Sequence, residues 1–86
     1  MKLKQSRLPK ALHELGIHGP CEADVLAELA GRPLEVVYRQ LVHANDHGAA
    51  DMRQGEYDDA QGTKVIAWVP SARLAWQARQ EANHGQ

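Results

Sequence analysis

The chain predicts a mainly α-helical domain with a small β-hairpin, in the order helix, helix, helix, hairpin, helix. Three observations carry this. Residues 31–48, GRPLEVVYRQLVHANDHG, read as a tight turn followed by an amphipathic helix bounded by glycines; TKVIAWV at residues 63–69 is the strongest strand signal; and a polar segment with glycine at each end, residues 55–62, precedes it.

The first helix is expected from a Ser6 cap through Leu15, with Leu8, Leu12 and Leu15 on its apolar face and Gly16 ending it. His18-Gly19-Pro20 is a turn. A second helix follows over residues 21–30, with Glu22 and Asp24 near its positive end and Gly31 as its stop. Ala27 and Ala30 are small enough to let helices two and three approach across the short turn. The third helix spans about residues 33–47. At 100° per residue, Leu34, Val37, Leu41 and Ala44 share a core face, and Glu35, Tyr38, Arg39, Val42 and Asp46 lie opposite. Pro33 suits a first helical turn and Gly48 a left-handed helix end.

Residues 50–54 and 63–69 are the two strands, and the loop between them, GEYDDAQG, completes a hairpin. Pro70 ends the second strand. Ser71 then caps a last helix with Leu74, Ala75, Ala78 and Ala82 at helical spacing. The organisation expected is a basic N-terminal arm over residues 1–6, a folded domain over 7–70, and a C-terminal helix and disordered tail over 71–86. No internal repeat is visible.

Eighty-six residues allow one small domain with a single core, and such a domain buries only about 60% of its unfolded surface. Hydrophobic residues at 43% and charged residues at 24% indicate a folded chain. The basic start is followed by no apolar signal segment, and no apolar run is long enough for a membrane, so a soluble, cytoplasmic protein without membrane contact is expected. The single cysteine, Cys21, can make no intramolecular disulfide and no cysteine-based metal framework, which fits a reducing compartment.

The net charge of −1 conceals an uneven distribution. Lys2, Lys4, Arg7 and Lys10 all precede the first acidic residue, Glu14, leaving six basic against eleven acidic residues and a net −5 for the rest. This basic end is a phosphate-contact candidate; the alternative is a terminus whose charge serves only solubility.

The element order and the residues Leu26-Ala27, Gly31, Val37-Tyr38-Arg39, Leu41 and Gly48, spaced without a gap, resemble the winged helix-turn-helix superfamily of DNA-binding domains. The resemblance covers most of residues 7–70. It implies a three-helix core plus wing and C-terminal helix, with Pro33, Glu35, Tyr38, Arg39 and Val42 facing the major groove of double-stranded DNA and residues 55–62 forming the wing. Three departures stand out. Pro33 replaces the serine or threonine that often caps this helix and binds a phosphate; the wing carries Glu56, Asp58 and Asp59, which repel phosphates; and Ala44 and Ala49 replace larger aliphatics, leaving room for Trp68 or Trp76. Small winged helices associated with ferrous-iron transport usually carry a cysteine cluster in the wing, and this wing has none.

Arg39 fits bidentate pairing with guanine O6 and N7, its alternative being a solvated arginine. Tyr38 suits a phosphate or a thymine methyl, or else packing against a neighbouring helix. Arg32 and Lys64 are phosphate-contact candidates. Glu35 either accepts from cytosine N4 or makes the helix unsuitable for DNA. His43 and His47 have the four-residue spacing of metal ligands, with Asp46, Asp51 and His18 as further donors, but two histidines near a helix C-terminus also suit its dipole, and no metal is assigned. Cys21 reads as a buried inert thiol. No catalytic triad, carboxylate pair or phosphate-binding glycine loop is visible, so a non-enzymatic protein without cofactor is expected. Two function classes follow: a small transcription regulator, dimeric through its final helix with Trp76 beside the Leu74 and Ala75 stripe, or an interaction module that binds protein through Leu34, Glu35, Tyr38 and Val42.

Overall fold

A computed structural model describes residues 7–84. Its elements are α1 (Lys10–His18), α2 (Ala23–Ala30), α3 (Leu34–Asp46), β1 (Ala50–Asp58), β2 (Lys64–Pro70) and α4 (Ala72–His84). This is the helix, helix, helix, hairpin, helix order expected, with the strands antiparallel.

The start of α1 follows Pro9, whose fixed backbone is extended and whose carbonyl accepts from the His13 N–H at 2.9 Å. The expected Ser6 cap lies outside the described residues. Gly16 does not end this helix. The turn continues to His18, and Gly19, at φ 86°, ends it. Gly16 is instead buried where α1 meets α4: a Cβ at this position would lie 2.5 Å from the Ala78 Cβ and 3.0 Å from the Leu74 carbonyl oxygen. Its smallness serves close helix approach rather than helix termination.

Cys21, expected to open α2, is extended. It exchanges two backbone hydrogen bonds with Trp68, at 3.0 and 2.8 Å, and so adds a single bridge beside β2. The helix therefore begins at Ala23. Its end is as the sequence predicts: Gly31 is left-handed, and the Arg32 N–H returns to the Ala27 carbonyl at 3.1 Å.

Pro33 is the N-cap of α3 rather than a residue of its first turn, and its carbonyl accepts from the Val36 and Val37 N–H groups at 3.1 Å. Val37, Leu41 and Ala44 are buried as expected, but Leu34 is 51% exposed. Leu34 shares their helical face yet belongs to the first turn, outside the core cluster. After Asp46 the chain turns through Gly48 at φ 76°, and the Ala49 N–H closes the helix on the Ala44 carbonyl at 2.8 Å.

The hairpin is longer than its sequence suggests. Ala50 pairs with Pro70, Met52 with Trp68 and Gln54 with Ile66; Gly55 and Glu56 then bulge out, and Tyr57 and Asp58 pair again with Val65 and Lys64. The bulge, with Gly55 at φ 78°, carries β1 through what reads in sequence as loop. The connection shrinks to residues 59–63, closed by Asp59, whose Oδ1 accepts from the Gln61 and Thr63 N–H groups at 2.9 Å.

Ser71 caps α4 as expected, its Oγ accepting from the Leu74 N–H at 3.0 Å. Leu74 and Ala78 are buried, and the Leu8 N–H donates to Glu81 at 3.0 Å. One core joins Leu12 and Leu15 of α1, Leu26 of α2, Val37, Leu41 and Ala44 of α3, Trp68 of β2 and Leu74 of α4. Among the described residues Trp68 is the only large aromatic in it; Ala44 belongs to the same cluster and Ala49, partly buried, packs against it. Trp76, the other residue considered for filling that space, is 58% exposed.

Candidate interface on α3 and the hairpin

Buried Val37, Leu41 and Ala44 fix the rotation of α3, so its opposite side faces outward. Glu35, Tyr38, Arg39 and Val42 are all exposed there. Arg39 and Glu35 form an i, i+4 ion pair at 3.7 Å with 75% and 85% of their side-chain surfaces exposed. Such a pair contributes only about 0.3–0.5 kcal/mol, so a stronger acceptor can draw Arg39 away.

The Tyr38 ring packs edge-to-face on Trp68, with centroids 5.9 Å apart and planes at 85°. Its neighbour is therefore strand β2, not the helix that one sequence alternative supposed. Half of Tyr38 stays exposed. The contact fixes α3 against the hairpin through one ring seated on another.

Arg32 lies exposed in the turn before α3, with its guanidinium 3.5 Å from the Gly31 carbonyl. Pro33 beside it supplies no side-chain cap, as its chemistry requires. Arg7 and Lys10 are exposed at the start of α1, a segment tied to α4 by the Leu8–Glu81 hydrogen bond and by His13, 3.5 Å from Glu81. Lys2 and Lys4 lie outside the described residues.

The acidic hairpin has internal partners. Lys64 pairs with Asp58 across the strand register at 2.9 Å, and Arg53 bridges Asp51 at 2.6 Å and Glu56 at 3.0 Å. Asp59 is occupied by two backbone N–H groups. Hydrogen bonding to Asp51 and the field of Glu56 hold the Arg53 guanidinium still more firmly protonated than usual. Sequence reasoning missed Arg53. The signal lay in carboxylates two residues before and three after it, but that spacing acquires meaning only once the bulge keeps Glu56 on a strand.

Between the first turn of α3 and the hairpin runs an open trough of about 1000 Å³. Leu34, Tyr38, Met52 and Ile66 line it above Trp68, and Glu22, Asp24 and Glu35 stand on its acidic side. Cys21, next to this rim, is half-buried; burial first, then the Glu22 and Asp24 charges, push its thiol pKa up.

The His43 and His47 rings lie 4.2 Å apart, and His47 Nδ1 sits 3.0 Å from the His43 carbonyl. His18 pairs with Glu14 at 3.1 Å instead of joining them. Among the described residues, no group of three or more His, Cys, Asp and Glu side chains is placed to hold a metal ion. No helix among them is long and apolar enough to cross a membrane. The chain matches no protein-family model and no curated protein.

Proposed function

We propose that this chain is a winged helix-turn-helix DNA-binding domain, a small transcription regulator that inserts α3 into the major groove of double-stranded DNA. The observation that carries the reading is the division of α3: Val37, Leu41 and Ala44 anchor it, while Glu35, Tyr38, Arg39 and Val42 are displayed beside a projecting hairpin. Arg39 reads a guanine edge, with Glu35 giving it up on contact. Arg32 lies near a phosphate at the start of α3, and Arg53 and Lys64 offset the hairpin carboxylates that would otherwise repel the backbone. Lys2, Lys4, Arg7 and Lys10 add affinity that is independent of sequence.

No chemical step is assigned to the domain. A homodimer through α4 would place two such helices on successive half-sites, with exposed Trp76 at the contact. Amide NMR titration with a mixed-sequence duplex at two salt concentrations tests the DNA reading. A second reading, a protein-interaction module, is favoured by the apolar trough beside α3.

A further inference from the structure

Four large apolar side chains converge on the trough while remaining about half exposed: Leu34 at 51%, Tyr38 at 51%, Met52 at 45% and Ile66 at 46%. Exposed hydrophobic residues scattered singly are ordinary, but a concave group of them marks a surface that gains by being covered. These four come from three elements, α3, β1 and β2, held together by the Tyr38–Trp68 ring contact and by the pairing of Met52 with Trp68.

Charge selects the occupant. Glu22 and Asp24 at the start of α2 and Glu35 on α3 border the apolar floor, and among the described residues no lysine or arginine lines it. A phosphate backbone is repelled by such a rim, and an acidic segment likewise; a lysine or arginine reaching over the edge is attracted. Its methylene stem can cover apolar surface while its charged end meets a carboxylate.

We infer that the trough docks a cationic amphipathic segment of a partner protein, which seats apolar side chains over Leu34, Met52 and Ile66 and sets Lys or Arg against Glu22, Asp24 and Glu35. The inference rests on the docking reading of the trough and not on DNA binding. Because Glu35 and Tyr38 belong to both surfaces, the docked segment and a duplex compete for α3.

The test titrates the full chain with a short amphipathic Leu/Lys peptide and with a Leu/Glu peptide of the same leucine pattern, followed by amide shifts and tryptophan fluorescence. The Leu/Lys peptide should shift residues 34, 38, 52 and 66, and the Leu/Glu peptide should bind at least about tenfold more weakly. Ile66→Lys, at an exposed site, should abolish docking with an unchanged melting temperature; Glu35→Lys should weaken it, whereas Arg39→Ala should not. Equal affinity for both peptides would overturn the cationic assignment while leaving the docking reading intact. No shifts at the trough, shifts confined to the Trp76 face, or concentration-dependent shifts without peptide that show a second copy in the trough, would overturn the inference. Duplex titration in parallel tells this failure apart from failure of the DNA reading.

Discussion

Cys21 and Trp68 exchange backbone hydrogen bonds in both directions, Cys21 N–H to the Trp68 carbonyl at 3.0 Å and Trp68 N–H to the Cys21 carbonyl at 2.8 Å. The link ties the segment between α1 and α2 to the hairpin, and the Trp68 indole, 3% exposed, fills the core beneath. One residue thus holds the hairpin twice, by its backbone and by its side chain.

Trp68→Ala should cost about 3–5 kcal/mol in urea unfolding. That is a large share of the stability of a domain this small, roughly 0.05–0.15 kcal/mol per residue. Cys21→Ala keeps the backbone pairing and should cost far less. Equal losses would mean that the Cys21 side chain holds the hairpin as firmly as the indole does.

The Cys21 thiol carries a pH signature. Burial and the neighbouring carboxylates raise its pKa in the folded chain, so the fold favours the neutral thiol. Its contribution is complete below the ordinary thiol range and is lost as pH rises through that range towards the folded pKa, because the unfolded chain releases this proton first. Wild type minus Cys21→Ala, compared in urea midpoint across that range, should show the decline; a flat difference would contradict it.

Gly16→Ala tests the α1–α4 contact. In an ordinary helix interior the change stabilises by about 1 kcal/mol. Here the new Cβ would lie 2.5 Å from the Ala78 Cβ and 3.0 Å from backbone, so a net loss of about 1–3 kcal/mol is expected. Adding Ala78→Gly should restore part of it by removing the nearer clash. A stabilised Gly16→Ala would show that the helices separate freely.

How much of this was legible in the sequence depends on whether the cause was local. Gly31, Gly48 and Ser71 act within a turn of their own positions, and each ends or caps a helix where the pattern places it. Gly16, Cys21 and Leu34 depend on residues far along the chain, or on where the body of the domain stops, and those three expectations failed. The bulge at Gly55 shows a third limit, because a glycine in αL reads as a turn whether or not pairing resumes beyond it. On α3, Arg39 and Val42 lie exposed as their spacing predicts, whereas the partners of Lys64 and Arg53 became visible only with the strand register.

The dimer proposal needs a point substitution. Removing residues 71–86 would take Leu74 and Ala78 from the common fold and uncover α1, so loss of assembly would not distinguish an interface from unfolding. Trp76→Ser changes a side chain that is 58% exposed. Light scattering should give a dimer mass for the wild type and a monomer mass for the variant with the same melting temperature; a monomeric wild type would remove α4 as the contact.

Arg39→Ala should cost about 1–3 kcal/mol at the preferred DNA site and relax base preference at one position, while Lys4→Ala weakens all sequences alike. Equal effects of Arg39→Ala on preferred and random duplexes would take base reading away from this residue.

The most direct measurement is an amide NMR titration with a short mixed-sequence duplex at low and then physiological salt. The DNA reading predicts shifts over residues 35–42 and at the basic residues of the first ten, fading as salt rises because phosphate contacts release counterions. No shifts at residues 35–42 even at low salt would contradict it and leave the trough, not the groove of a duplex, as the use of this face.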